Sequence, residues 1–231
     1  MHAQSAKFSF ITRKGVHDTP AYKPGLPIDR VAREYGIAPD AIVKLASNEN
    51  PLGPSPMAVD AIGRHLGELN RYPDGGCWAL TEKLSGRFGL PRDQFIVGNG
   101  SNEILELLAQ VFLEPGANAV MGEYPFVVYP LVTHHFGAEI RKTPMPGLRH
   151  DLEAMRAAID DHTRLVFLAS PNNPTPYAVG EDEILKFVED LPPRVVFCFD
   201  EAYAEYMERS PDLTPFIREG RSVIATRTFS K

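Results

Sequence analysis

The spacing of apolar residues changes character along the chain. Up to residue 56 no period is sustained, and Pro20, Pro24, Pro27, Pro51, Pro54 and Pro56 interrupt every run. Proline lacks an amide donor and fixes φ, so regular elements form only between these positions, and one short helix is predicted over Ile28–Tyr35. Met57–Leu66 and Trp78–Phe88 carry apolar residues at three- and four-residue spacing and predict helices. From there short apolar runs alternate with amphipathic ones. Strands are predicted at Gln94–Val97, Ala119–Met121, Glu139–Lys142, Leu165–Ala169, Val195–Phe199 and Ser222–Thr226, and helices at Glu103–Phe112, Leu152–Ile159 (capped by Asp151) and Glu181–Val188. Phe126–Phe136 starts with helical spacing and then loses it, so its element stays open. Strands separated by helices of this length require crossovers. The pattern therefore predicts an α/β fold with a mainly parallel sheet between helices, behind an arm over residues 1–56 and a body over 57–231.

Composition narrows the function classes. With 43% hydrophobic and 23% charged residues the chain can fill a core and keep a wet surface. Its 24 Lys and Arg against 30 Asp and Glu give a net charge of −6 with no basic block, which argues against a nucleic-acid partner. No apolar run approaches the roughly 18 residues of a membrane span, and the start lacks a signal-peptide core, so no membrane partner is expected. Cys77 and Cys198 have no CxxC spacing and fit a reducing cytoplasm, the expected location. The adjacent His134 and His135 point different ways on any regular element, and no metal site is expected.

In a parallel sheet, ligands lie outside the carboxyl ends of the strands. Four segments fall there. Gly98-Asn-Gly-Ser-Asn102 can turn tightly and present helix-start amides to a phosphate, although such a loop is also an ordinary turn. Ser170-Pro-Asn-Asn-Pro-Thr-Pro176 holds two carboxamides in a stiff loop, which would equally serve as a rigid connector. Asp200, after an apolar strand, must be paired or well hydrogen-bonded, by a helix cap or a cationic ring, with Tyr203 on the same side if the segment turns helically. Thr228 and Ser230 offer hydroxyls and Lys231 an amine after the last strand, where a solvated lysine is the plain alternative. Phosphate donors, carboxamide, buried acid and amine at one rim together describe a pyridoxal phosphate pocket.

These segments carry a resemblance. With Tyr22-Lys-Pro-Gly, Lys44-Leu-Ala-Ser-Asn-Glu-Asn-Pro-Leu-Gly53 and Arg71-Tyr-Pro-Asp74, the ordered set resembles the fold-type I, aspartate-aminotransferase-like enzymes, and among them the histidinol-phosphate aminotransferases. The resemblance implies pyridoxal 5′-phosphate as cofactor and transamination between L-histidinol phosphate and 2-oxoglutarate, giving imidazole-acetol phosphate and L-glutamate in histidine biosynthesis. Aromatic-amino-acid aminotransferases and threonine-phosphate decarboxylases share the scaffold and remain alternatives.

It implies Lys231 as the Schiff-base lysine that also moves the proton, Asp200 as partner of the pyridinium nitrogen, and Asn173 with Tyr203 as the pair on the ring oxygen. Phe126 falls where the family stacks an aromatic ring on the cofactor, a core role being equally open. Ser101 and Asn102 amides with Thr228 and Ser230 hydroxyls would hold the phosphate, and Tyr72 would reach the cofactor of a neighbouring subunit in a homodimer. Tyr22 and the Asn48-Glu-Asn50 stretch would close over substrate, a Pro-bounded surface loop being the plain alternative. Two departures stand out. Pro176 replaces the family's usual glycine, which removes a donor and restricts Thr175. The family chain also continues past the lysine, so residues 1–56 read as arm and first part of a small-domain or interface segment, 57–231 as an incomplete cofactor-binding large domain, and the C-terminal small domain as absent. A shortened chain that only binds or dimerises is the alternative of another class.

Overall fold

The structure is a computed structural model that describes residues 14–19 and 25–231. In chain order its elements are α1 (Lys14–His17), α2 (Ile28–Tyr35), α3 (Pro56–His65), α4 (Trp78–Phe88), α5 (Gly100–Phe112), β1 (Asn118–Gly122), α6 (Val128–His135), β2 (Glu139–Thr143), α7 (Leu152–Ala157), β3 (Thr163–Ala169), α8 (Glu181–Glu189), β4 (Val196–Asp200), α9 (Thr214–Arg218) and β5 (Val223–Thr226). The described residues form two compact units, one from 14–19 and 101–227, the other from 25–100 and 228–231.

The larger unit holds a five-stranded sheet in the order β2-β1-β3-β4-β5, and every neighbouring pair is parallel. Period-two alternation divides its strands between two cores. Met121, Phe167 and Cys198 face the layer containing Leu105 and Leu108 of α5 and Tyr129 and Val132 of α6. Val120, Val166, Leu168, Phe197 and Phe199 face the opposite layer with Met155 of α7, Ile184 and Phe187 of α8 and the partly buried Phe216 of α9. Strands buried on both sides must be apolar throughout, which is why β3 reads Leu-Val-Phe-Leu-Ala.

At the amino ends of the strands the buried polar side chains satisfy one another. Thr163 Oγ1 donates to Asn118 Oδ1 (2.8 Å), Asn118 Nδ2 to Asp160 Oδ1 (2.9 Å), and Arg141 pairs with Asp160 Oδ2 at 2.7 Å. The Asn118 hydrogen bond leads the causes that hold the Asp160 carboxyl well below the usual range. The set locks the start of β1 to β3, where the register shifts by one residue between Asn118 and Ala119.

The smaller unit has a thin core. Thr81 and Leu90 are buried, whereas Val43, Leu45, Leu52, Met57, Ile62 and Leu69 stand exposed. Asp74 accepts from the Trp78 amide (2.7 Å) and the Gly76 amide (2.9 Å) and so starts α4, and the Arg92 guanidinium lies 5.0 Å from the Trp78 ring centroid.

Three sequence expectations change. Gln94–Val97 is not a strand: a single turn occupies Arg92–Gln94, and Ile96 is exposed. A strand needs a neighbour for its backbone groups, and none of the five strands pairs with this run. The helix predicted from Glu103 starts at Gly100, so Ser101 and Asn102 belong to its first turn. The open segment Phe126–Phe136 contains α6, with Pro130 in the first turn, where a missing amide costs no intrahelical bond.

Candidate active site

The chain runs outward in opposite directions from β1 and β3, and the carboxyl end of such a switch point is where a parallel sheet leaves a crevice. The loops after β1 and β3 meet there. Asn172 Nδ2 donates to the Tyr124 carbonyl (3.0 Å) and to Thr175 Oγ1 (2.8 Å), and the Asn172 amide donates to the Tyr177 carbonyl (3.0 Å). Thr175 is therefore tied into the loop despite Pro176 beside it. Ser170 joins this loop to β4 through its amide, which donates to the Asp200 carbonyl (3.1 Å). The Ser170–Pro171 and Asn173–Pro174 peptides are cis.

Asp200 ends β4 and is 3% exposed. Its carboxylate is held by two donors: Tyr129 Oη on Oδ2 at 2.7 Å and the Ala202 amide on Oδ1 at 3.0 Å. Burial pushes the carboxyl above its ordinary range, and hydrogen bonding, from Tyr129 first, opposes that shift. Tyr129 stacks on Phe167 with ring centroids 4.8 Å apart and planes 6° apart, and Phe126 meets it edge-on at 5.7 Å. Burial and then the Asp200 charge push the Tyr129 hydroxyl well above its usual value, so it stays a donor. Beside Asp200, Asn173 Nδ2 donates to Tyr203 Oη at 3.2 Å. Phe126 is half-buried, one side on the core cluster that contains Tyr129. Ser101 and Asn102 stand where helix amides have no preceding carbonyl, and α5 places Leu105 in that same core.

An ion pair with a buried carboxylate and a partly exposed guanidinium anchors the segment that follows. Arg227 donates from Nη2 to Glu201 Oε1 (2.9 Å) and from Nε to Oε2 (3.2 Å), and Ser210 Oγ donates to Oε1 (2.5 Å). The Glu201 amide also donates to the Thr226 carbonyl (2.8 Å), extending the β4–β5 ladder by one bond.

The smaller unit contains the other candidates. Thr228 Oγ1 donates to Ser230 Oγ at 2.9 Å and accepts from the Ser230 amide at 3.2 Å, which gathers the two hydroxyls in one turn. Lys231 Nζ donates to the Ser47 carbonyl at 3.1 Å, in a turn where Ser47 and Asn48 both adopt left-handed φ values of 72° and 49°. Asn50 Oδ1 accepts from the Leu52 amide at 3.0 Å, so its oxygen serves its own turn. Tyr72 is 100% exposed. Tyr22 lies outside the described residues.

The structure thus joins Asn173 to Tyr203 directly and sets both near the strand end that carries Asp200. Three buried or half-buried polar residues near the strand ends stood out less in the sequence. Tyr129 was hidden in the segment left open, although a buried acid calls for such a donor. Asn172 was visible only as one of two loop carboxamides. His150 sits against Gly122, where a Cβ would come 2.8 Å from its Nδ1, and burial pushes its imidazole below the ordinary value.

Residues 40–231 match the family described as aminotransferase class I and II. The histidinol-phosphate aminotransferase 2 of Pseudomonas fluorescens is 50% identical over 229 residues, 98% of this chain and 62% of that protein. The crystal structure of histidinol-phosphate aminotransferase from Sinorhizobium meliloti in complex with pyridoxal-5′-phosphate superposes with a TM-score of 0.82 at 24% identity, covering 99% of this chain and 60% of that one. A single mutant of Thermus thermophilus aspartate aminotransferase gives 0.73 at 21% identity, covering 96% and 61%. The fold is therefore that of the aspartate-aminotransferase-like, fold-type I large domain. The chain spans about three fifths of the length of the curated relatives it matches. The family match takes in all five strands and the segment through Lys231, and the chain belongs to the class I and II aminotransferases.

Proposed function

We propose that the protein carrying this chain is a pyridoxal-phosphate-dependent aminotransferase that moves an amino group between L-histidinol phosphate and 2-oxoglutarate in histidine biosynthesis. The observation that carries the reading is Asp200: a carboxylate 3% exposed at a strand end, held by two uncharged donors and with no cation among the hydrogen-bond partners found for it. The half-identical relative that bears the histidinol-phosphate name supports the substrate.

The residues fit the cofactor by their chemistry. Asp200 supplies the buried anion a protonated pyridine ring requires, and it holds the proton on the ring nitrogen. Asn173 and Tyr203, already hydrogen-bonded to each other, are the donors for the ring oxygen. Ser101 and Asn102 amides at a helix start, and the Thr228 and Ser230 hydroxyls, suit a phosphate. Phe126 offers the face of its ring. When bound, pyridoxal phosphate supplies a conjugated electron sink for the substrate's α-carbon. Lys231 would hold the cofactor through Nζ and, once the substrate's amine had displaced it, would take the proton from that α-carbon. Tyr22 and Asn50 are the proposed residues over the substrate.

A homodimer with Tyr72 reaching the neighbouring subunit's phosphate completes the proposal, supported by the exposed apolar residues of α3 and the segments around it. Its location is the cytoplasm, with Cys77 and Cys198 as free thiols. Among the described residues no helix is long and apolar enough to cross a membrane.

Borohydride treatment after incubation with pyridoxal phosphate should leave a pyridoxyl group on Lys231 in peptide mapping. A donor panel of histidinol phosphate, phenylalanine and threonine phosphate, read as glutamate formed from 2-oxoglutarate, should favour the first. Normal turnover by Lys231→Ala would refute the role of the lysine.

A further inference from the structure

The carboxylate of Asp200 is set by a side chain from a different element. Free rotation about its last torsion would swing the oxygens, yet each accepts a separate donor, Oδ2 from Tyr129 at 2.7 Å and Oδ1 from the Ala202 amide at 3.0 Å. The Ala202 amide is only two residues away and constrains one oxygen locally. Tyr129 comes from α6 and is itself immobilised: its side chain is 1% exposed, its ring is stacked on Phe167 of β3, and Phe126 closes its edge.

We propose that Tyr129 is a positioning residue for the cofactor ring nitrogen: by fixing Oδ2 of Asp200 it aims the remaining lone pairs of that carboxylate at the ring's N–H. The inference rests on the reading of Asp200 as the partner of that nitrogen. A carboxylate has about four acceptor positions, and two are occupied here, so acceptor capacity remains. The kind of donor matters as much as its place. A lysine or arginine would neutralise Asp200 and leave little net charge for a second cation. A phenol kept protonated by burial orients the carboxylate and leaves its charge available.

The test uses pyridoxine 5′-phosphate, which has the ring nitrogen and phosphate but no aldehyde to react with Lys231, and its deaza analogue, in which a C–H replaces the ring nitrogen. Calorimetric titration gives the ratio of the two affinities. The wild-type protein should prefer pyridoxine 5′-phosphate, and Tyr129→Phe, which keeps the stacked ring, should lose about tenfold of that preference while binding the deaza analogue as before. Equal losses for both ligands would show a structural role only and overturn the proposal, as would an unchanged ratio. A wild-type protein that binds the two analogues equally, or binds neither, would instead overturn the reading of Asp200 itself. If Tyr129→Phe does not fold, 3,5-difluorotyrosine at position 129 keeps the hydroxyl in place and makes it more acidic, at the cost of two small ring substituents. It should shift the same ratio, and an unaltered ratio there overturns the proposal too.

Discussion

Two buried titratable residues near the strand ends bias stability in opposite directions. The Asp200 carboxyl is raised above its unfolded value, so its favourable contribution is complete below that value and is lost as pH rises through the folded one. At neutral pH the ionised form therefore costs stability. Asp200→Asn keeps the shape, and the Tyr129 hydroxyl can turn to accept from the new amide. The variant should melt about 2–4 °C higher than wild type at pH 7, with the gap closing toward pH 4, while losing discrimination for the ring nitrogen. His150 behaves oppositely. Burial holds its imidazole below the ordinary 6.5, so stability is intact above that value and declines as pH falls beneath it. Urea midpoints of His150→Phe between about pH 7 and 5 should lack the part of the wild-type decline that comes from this ring.

At the scale of elements, Arg227 ties the residue after β4 to the residue after β5. Its partner Glu201 has a side chain 6% exposed, whereas the guanidinium is 33% exposed. Removing the cation strands a buried anion, but removing the anion leaves a cation that still reaches water. Arg227→Met should therefore cost about 3 kcal/mol in urea unfolding, and Glu201→Gln clearly less. Equal costs would contradict this asymmetry. Element type was legible in the sequence wherever an apolar face met a core, as in α5, α8 and β3. It was not legible at Gln94–Val97, because alternation records side-chain preference and says nothing of a backbone partner. Nor was it at Phe126–Phe136, where helical spacing is not sustained although α6 spans Val128–His135 with Pro130 in its first turn. Asp200 and the Ser170–Pro176 loop with its Asn173, which the proposed function uses, stood out because they close or directly follow apolar strands. Tyr129, which donates to Asp200, and the buried ring of His150 are defined by long-range packing, and no local spacing announces that.

At the scale of the whole molecule, the apolar residues left exposed on the smaller unit make a prediction about assembly. Ile62 and Leu69 are 64% and 78% exposed. If a second copy covers them, Ile62→Asp with Leu69→Asp should shift the protein from dimer to monomer in sedimentation, and an unshifted dimer would place the interface elsewhere. The all-parallel order of the larger unit's sheet has a kinetic consequence. Each pairing joins strands with helical connections between them, so there is no hairpin from which the sheet can grow. Loop-closure entropy is met before any ladder forms, and refolding from urea should take milliseconds to seconds in stopped-flow circular dichroism. A microsecond phase carrying the full amplitude would contradict that. The crossovers also delay the loops they carry: Ser170, whose amide donates to the Asp200 carbonyl, stands about thirty residues before it in the chain, so this contact should form no earlier than the β3–β4 pairing.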